Sequence, residues 1–486
     1  VAAGTGMMTL AQAALHLSNA TIRGNAAAVF KRVHTDSRTL QSEDLFVAIK
    51  GERFDAHVFL PQVHALGDCT VLISAQHLPP EGLNAIVVPD PKKALGELAA
   101  AWRRRFTLPL AVVTGSNGKT TTKDMIASIF KAAVGQEHVL YTLGNLNNDI
   151  GLPLTLLKLN AAHRLAVIEL GMNHPGETAT LAAIAEPTIA LVNNAQREHQ
   201  EFMATVEAVA QEHAAAIQAL PAEGVAVFPT NDAHAPVWRS TAGGRKRIEF
   251  GVVGTDATEK DVAEKIENTL TLIFMSLSNQ NSLEIRMKQG EKLFWYPILL
   301  QIQGAHNQLN ALAAASVALA AGITPECIVQ GLNAFAPSKG RMQNLTGFAY
   351  RLIDDSYNAN PDSVRAAIDA LAADTAATKV LVLGDMGEVG EQGPAFHSEV
   401  GHYAAAMRID VLITLGEATQ LTHATYKAAM STGIAKHADS VRQAADIVRK
   451  LSLSSNACVL IKGSRFMQME RVIEELKKPS QGASAC

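Results

Sequence analysis

Thr114-Gly115-Ser116-Asn117-Gly118-Lys119-Thr120-Thr121 directly follows an apolar run, Leu110 to Val113. Glycines let successive backbone N–H groups point into one concavity, a lysine adds positive charge, and a threonine hydroxyl can hold Mg²⁺. Gly115, Asn117, Gly118, Lys119, Thr120 and Thr121 are therefore expected to cradle nucleotide phosphates. Only Ser116 and Asn117 separate the two glycines, where the common phosphate loop has four residues, so the spacing argues against a generic ATPase. The bland alternative is an ordinary strand-to-helix turn.

Other residues of the right chemistry also fall at the ends of apolar runs. Glu169 closes Leu165 to Leu170 and is a metal candidate, since Mg²⁺ takes carboxylate oxygens together with substrate phosphates; otherwise it caps a helix or pairs with a cation. His199, in Gln196 to Glu201, follows the next strand and should reach the same edge, although a lone histidine there is more often a surface residue. Asp355 ends the strand before Ser356-Tyr357-Asn358-Ala359-Asn360-Pro361 and could accept hydrogen bonds from a ribose. Lys462-Gly463-Ser464-Arg465 puts two cations at a further strand end, suited to a carboxylate.

The elements that must position these residues read as a three-domain α/β protein, since 486 residues are too many for one core. Residues 8–108 form a small α/β unit with strands at Leu45 to Ile49, Thr70 to Ile73 and Ala85 to Val88 and a helix at Pro91 to Arg105. Residues 109–336 alternate strands (Leu110 to Thr114, Val139 to Thr142, Leu165 to Leu170, Ile189 to Asn193, Val225 to Pro229) with helices, the pattern of a mostly parallel sheet covered on both faces. Thr269 to Ser276, Ser282 to Met287 and Phe294 to Ile302 alternate polar and apolar residues and predict antiparallel hairpins added to that sheet, before a helix at His306 to Ala321. Residues 337–486 start at a hinge, Ala336 to Gly340, and carry strands at Arg351 to Asp354, Lys379 to Leu383, Val411 to Leu415 and Cys458 to Ile461, a Rossmann-like pattern.

A net charge of −4 offers no basic field for nucleic acid, and Arg103-Arg104-Arg105 reads as a solvated helix end. Cys69, Cys327, Cys458 and Cys486 are widely spaced, which suits a reducing cytosol, with Cys486 as exposed tail. The longest apolar stretch, Ala311 to Ile323, is too short for a membrane span, so no membrane insertion is expected. Val1 to Gly6 reads as a remnant ahead of Met7 or Met8 and lacks the charged start of a signal peptide.

TGSNGKTT at 114–121, GNLNNDIGLPLTLL at 144–157, ELGMNHPGE at 169–177, GAHNQLNALAAAS at 304–316, DDSYNANPDS at 354–363, LGDMGEVGEQ at 383–392 and KGSR at 462–465 resemble the MurF-type branch of the Mur ligase family. HTDSRTLQSEDLFVAIKGERFDAHVF at 34–59 is similar to the family's UDP-sugar-binding domain. The resemblance implies a cytoplasmic, monomeric ligase that uses ATP and Mg²⁺ to join D-Ala-D-Ala to UDP-MurNAc-tripeptide through an acyl phosphate. It further implies that Lys119, Glu169 and His199 are catalytic, with Thr120, Glu169 and His199 at the metal, and that His306, Asn307, Arg341 and Asp355 lie on the nucleotide. Asp36, Ser37, Arg38, Lys50, Phe54 and Asp55 would bind the UDP-sugar, Asn147 and Asn148 the muramoyl-peptide, and Asn358, Lys462, Ser464 and Arg465 the peptide end.

The chain departs from the family in two places. Arg197-Glu198-His199-Gln200-Glu201 stands where Ala-His-Leu-Glu is common, and His213 stands where many members carry a lysine modified to a metal-binding carbamate. A carbamate cannot form on an imidazole, so a neighbouring side chain, water or another arrangement must replace it. The rival readings are another amide ligase of the Mur or folylpolyglutamate synthase type and a regulatory phosphate-loop ATPase that needs no acceptor amine.

Overall fold

The apolar runs fold into three large sheets, each predominantly parallel, besides a small antiparallel pair of Met8–Thr9 with Val29–Phe30, in a computed structural model that describes residues 6–252, 272–276, 282–289 and 292–478. Residues 1–5, Thr269 to Thr271 and Cys486 lie outside the described residues. The first sheet has five strands in the order Thr21–Arg23, Asn84–Val88, Thr70–Ser74, Asp44–Val47, Arg32–His34, with only the first pair antiparallel. The third has six, Gln343–Leu345, Arg351–Asp355, Ala457–Lys462, Thr378–Gly384, Val411–Leu415 and Ile434–Ala438, again with one antiparallel edge pair.

The central nine-stranded sheet carries the glycine-rich turn. Leu110–Thr114 is the third strand from one edge, flanked in parallel by Leu165–Glu169 and Ile189–Val192. All three are wholly buried, as expected of strands covered on both faces. Their register sets Glu169 beside Val113 and Val192 beside Thr114, so the residues that follow each strand emerge together at one carboxyl edge. Leu165–Glu169 and Val139–Tyr141 lie on one side of Leu110–Thr114 and Ile189–Val192 and the later strands on the other, so the connections diverge there and open a crevice.

The helix after the turn, Lys119–Val134, buries Met125, Ile126, Ile129 and Phe130 completely and packs against Ala305–Ala320 and Pro325–Ala334. Each such side chain contributes about 1.5–3 kcal/mol of hydrophobic stabilisation. The alanines of Ala305–Ala320 let its backbone approach closely, which draws Asn307 and Asn310 toward the turn.

The expected antiparallel pairs are present: Leu272–Ser276 joins the sheet parallel to Lys246–Val252 and pairs antiparallel with Ser282–Gln289, which pairs antiparallel with Lys292–Leu299. One expectation is corrected in part: Arg104 and Arg105 are exposed at the helix end, Arg104 pairing with Glu186, but Arg103 is buried and donates to the carbonyls of Ala185, Phe106 and Glu186. Trp102 beside it donates to Leu159 O at 3.0 Å, and one apolar cluster runs from Pro91–Arg103 into the helices of the central sheet. Cys69, Cys327 and Cys458 are free thiols, and no helix among the described residues is long and apolar enough to cross a membrane.

Candidate active site

The turn between Thr114 and Lys119 is built around two glycines in the left-handed region. Gly115 has φ +132° and Gly118 +79°. A Cβ on Gly115 would stand 3.0 Å from the backbone nitrogens of Asn193 and Asn194, and one on Gly118 would stand 2.4 Å from Asn310 Oδ1. Both the conformation and the space therefore demand glycine.

Side chains from the neighbouring strand ends hold the loop. Asn194 Oδ1 accepts from Asn117 N at 2.9 Å, and Asn193 Nδ2 donates to Asn117 O at 2.8 Å and Asn310 Oδ1 at 2.9 Å. Asn310 in turn donates to Asn307 Oδ1. Asn193, Asn194 and Asn310 were not anticipated from sequence. The Asn193-Asn194 pair just past a buried strand, and Asn307 with Asn310 one turn apart on an apolar helix, were the available signals.

Lys119 Nζ donates to Gly115 O at 2.5 Å, Ser116 O at 3.1 Å and Glu198 Oε2 at 3.2 Å. Glu198 is buried, and its other oxygen lies 2.8 Å from His213 Nε2, whose Nδ1 lies 2.8 Å from Thr114 Oγ1. Burial pushes the Glu198 carboxyl up, but the charge of Lys119, the hydrogen bond and charge of His213 and the charge of His199 outweigh it and hold it at about 2. Glu212 faces elsewhere, accepting from Gly176 N and Thr178 N.

Across the cradle, Thr120 Oγ1 donates to Glu169 Oε1 at 3.1 Å and Asn147 Nδ2 to the same oxygen at 2.8 Å. Glu169 Oε2 is buried without a hydrogen-bond partner among the described residues. A bare carboxylate oxygen beside a threonine hydroxyl and a phosphate cradle is the donor set that fits Mg²⁺. His199, with a left-handed backbone (φ +46°), sits at the same edge, its Nε2 3.9 Å from Glu198 Oε2. Its Nδ1 lies 2.8 Å from Glu388 Oε2, an ion-pair distance without hydrogen-bond alignment.

The third sheet faces this edge. Asn360 and Asn117 exchange side-chain amide hydrogen bonds, and Arg197 grips Asp362 at 2.6 Å and Glu399 at 2.7 Å. Asp355 and Lys462 are register partners, and Lys462 Nζ donates to Asp355 Oδ2 at 2.7 Å. Lys462 is buried in that pair, so the expected carboxylate-binding cation is already neutralised by the expected ribose acceptor. Ser464 is likewise engaged, donating to Ala359 O and accepting from Gly387 N. Arg465 is exposed and pairs with Glu470, while Arg341 lies 4.1 Å over the Tyr357 ring. Burial lowers the His306 imidazole below its usual range, and His306 accepts from Asn307 Nδ2.

One cleft of about 1150 Å³ unites Lys119, Thr120, Asn147, Asn148, Glu169, His199, His306, Asn307, Arg341, Asp355, Asn358, Lys462 and Arg465. Asn148 also caps the helix at Gly151–Leu156 by accepting from Gly151 N. Asp36, Ser37, Arg38, Lys50, Phe54 and Asp55 do not line it. On the first sheet, Asp36 pairs with the exposed Arg38, whose hydrogen bonds hold its carboxyl at about 2. Ser37 is buried, Lys50 bridges Asp55 through the backbone, Asp55 binds His57, and Phe54 is exposed.

Comparison with known proteins gives matches along most of the chain. The family descriptions "Mur ligase middle domain" and "Mur ligase, glutamate ligase domain" match residues 113–318 and 340–465. The UDP-N-acetylmuramoyl-tripeptide--D-alanyl-D-alanine ligase of Haemophilus influenzae is 36% identical, covering 94% of this chain and 96% of that protein. Its counterpart from Escherichia coli is also 36% identical, over 92% and 93%. A crystal structure of MurF from Acinetobacter baumannii superposes with a TM-score of 0.83 at 31% identity, covering 96% of this chain and 97% of that one. MurF from Thermotoga maritima, solved in complex with ADP, shares the fold at 24% identity with a TM-score of 0.76, covering 92% and 96%.

A central and a third parallel-rich sheet facing each other across a glycine-rich cradle, together with these matches, define an ATP-dependent amide-forming ligase. The chain belongs to the Mur ligase family.

Proposed function

We propose that this chain joins D-Ala-D-Ala to UDP-N-acetylmuramoyl-tripeptide with ATP, releasing ADP and phosphate, and does so as a monomer in the cytoplasm. The observation that carries the reading is the pairing of Thr120 with Glu169, whose second oxygen is bare, beside the Lys119 cradle and opposite the third sheet. The relatives named for this reaction at 36% identity support the choice of substrates. Residues 8–108, 109–336 and 337–486 serve as the UDP-sugar, ATP and ligase domains.

A carboxylate is a poor electrophile, so the tripeptide carboxylate first attacks the γ-phosphorus of ATP and ADP leaves. The amine of D-Ala-D-Ala then attacks the acyl carbon, phosphate departs with the bonding pair, and the amine proton is lost. Lys119 and the N–H groups of Gly118 to Thr121 stabilise charge gathering on the transferring phosphoryl group. Thr120, Glu169 and His199 hold Mg²⁺, which when bound neutralises phosphate charge. Asp355 keeps lone pairs free beyond its bonds to Lys462 and Met342 N, and offers them to the ribose. His306, Asn307 and Arg341 frame the nucleotide. Asn147, Asn148 and Asn358 with Lys462, Ser464 and Arg465 shape the peptide end, Lys462 and Ser464 by bracing its loops and Arg465 by direct charge. Asp36, Ser37, Arg38, Lys50, Phe54 and Asp55 take the UDP-sugar outside the main cleft. The contact between sheets excludes water from the acyl phosphate.

The product tests this reading. Incubation with ATP, UDP-MurNAc-tripeptide and D-Ala-D-Ala should give one new amide by mass spectrometry, with glutamate a poor acceptor. Equal use of glutamate would favour another amide ligase of the family. Arg38→Ala should raise the KM for the UDP-sugar and leave that for ATP unchanged; an unaltered UDP-sugar KM would remove the first sheet from the binding site.

A further inference from the structure

We infer that Glu198, seated by His213, is a carboxylate ligand for a second divalent cation beside the phosphate cradle. The inference rests on the ligase reading above. Its physical basis is the set of partners around Lys119. An ammonium has three donors, and those of Lys119 meet Gly115 O, Ser116 O and Glu198 Oε2. Binding a phosphate oxygen therefore means giving one of them up. When Lys119 turns to a triphosphate, Glu198 is left as a buried carboxylate next to a polyanion, with an imidazole as its remaining close partner. Removing one member of a buried charge pair is heavily penalised. A divalent cation shared between Glu198 Oε2 and a phosphate oxygen removes that penalty and the repulsion together.

The surrounding geometry is suited to this. His213 is wholly buried, with Nδ1 on Thr114 Oγ1 and Nε2 on Glu198 Oε1, both at 2.8 Å. That relay fixes the imidazole to the end of the cradle strand and commits one carboxylate oxygen, leaving Oε2 aimed at Lys119 with His199 Nε2 3.9 Å away. An outer imidazole that orients a ligating carboxylate is a recurrent arrangement in metal sites. With Glu212 occupied in capping Gly176 and Thr178, Glu198 is the acid that can stand in for a carbamate at residue 213. His213 acts here as a positioning residue.

Mn²⁺ is the probe. Free Mn²⁺ is measured by electron paramagnetic resonance during titration of the full chain with a non-hydrolysable ATP analogue present. Wild type should bind two Mn²⁺ per chain. Glu198→Gln, nearly isosteric, should keep one and weaken the other at least ~10-fold, and His213→Leu should do the same. His213→Gln, which retains an N–H donor toward Glu198, should recover part of the lost affinity. Two sites of unchanged affinity in Glu198→Gln would overturn the inference, as would wild type binding the analogue with one Mn²⁺; that second result leaves the ligase reading intact. Wild type binding neither the analogue nor Mn²⁺ would overturn both. Circular dichroism melts of the His213 variants identify any loss due to unfolding, and in that event the Glu198→Gln count decides.

Discussion

Lys119 sits at the N-terminus of a 16-residue helix with its ammonium within 3.2 Å of three acceptors on the cradle and Glu198. Its replacement by alanine removes a preorganised charge from a water-poor site, so kcat should fall roughly 10²-fold or more, with the fold retained. A rate within a few-fold of wild type would take the cradle out of the mechanism. Gly118→Ala forces an L-residue to φ +79° and drives a methyl group into Asn310 and Asn193. A cost of about 1–2 kcal/mol from the backbone alone is expected. Calorimetric titration with an ATP analogue should show affinity reduced by at least ~10-fold. At this scale the sequence placed Lys119 and Thr120 at a helix start, Glu169 and Asp355 at strand ends and His199 in the loop after a strand, and one cleft brings the five together. Glu198 was not legible, and His213 stood out only as the residue at the position of the family's modified lysine, with no sign of its contacts. His213 meets Thr114 across 99 residues, and nothing local distinguishes such a histidine from one on a helix surface.

The element that most directly joins the central and third sheets is the loop after Ile189–Val192. Arg197 there donates to Asp362 at the start of helix Pro361–Ala372 and to Glu399 on helix Gly393–Ala406. Arg197→Ala takes the guanidinium from partly buried Asp362 and leaves Glu399 with Arg365 alone, and should lower stability by about 1–3 kcal/mol, measured by urea unfolding. No change in the midpoint would mean that the contact is incidental. The latch also has a pH dependence. Hydrogen bonding to Arg197, helped by the charges of Arg197 and Arg365, overcomes burial and holds Glu399 below its usual range. A depressed carboxyl stabilises the fold fully above its ordinary pKa and loses that contribution as pH falls through the depressed value. The melting-temperature gap between wild type and Glu399→Gln should therefore be widest near neutrality and close as pH drops below about 4. A gap that widens in acid would reverse the assignment. Neither acidic partner was legible from the sequence, since helix pairing across 165 and 202 residues leaves no periodic trace. Buried strands fared better: Leu110–Thr114 and Ala457–Lys462 were visible as continuous apolar runs.

At the scale of the whole molecule, three sheets share two lines of contact. Pro91–Arg103 packs the first unit against the central one through Trp102 and Arg103, and Asn117 with Asn360 ties the cradle to the third sheet. The first contact was hidden by the polarity of three consecutive arginines, whose stems and donors are usually solvent-facing. The cleft lies on the second contact, drawing residues from the central and third sheets, so its chemistry depends on both. A machine built this way couples ATP cleavage to acceptor capture, whereas a regulatory ATPase would hydrolyse without one. The decisive measurement is ATP-dependent phosphate release with UDP-MurNAc-tripeptide, with and without D-Ala-D-Ala. Release that requires both the tripeptide and D-Ala-D-Ala is the predicted result. Release that proceeds equally without either would contradict the ligase assignment and withdraw the substrate sites with it.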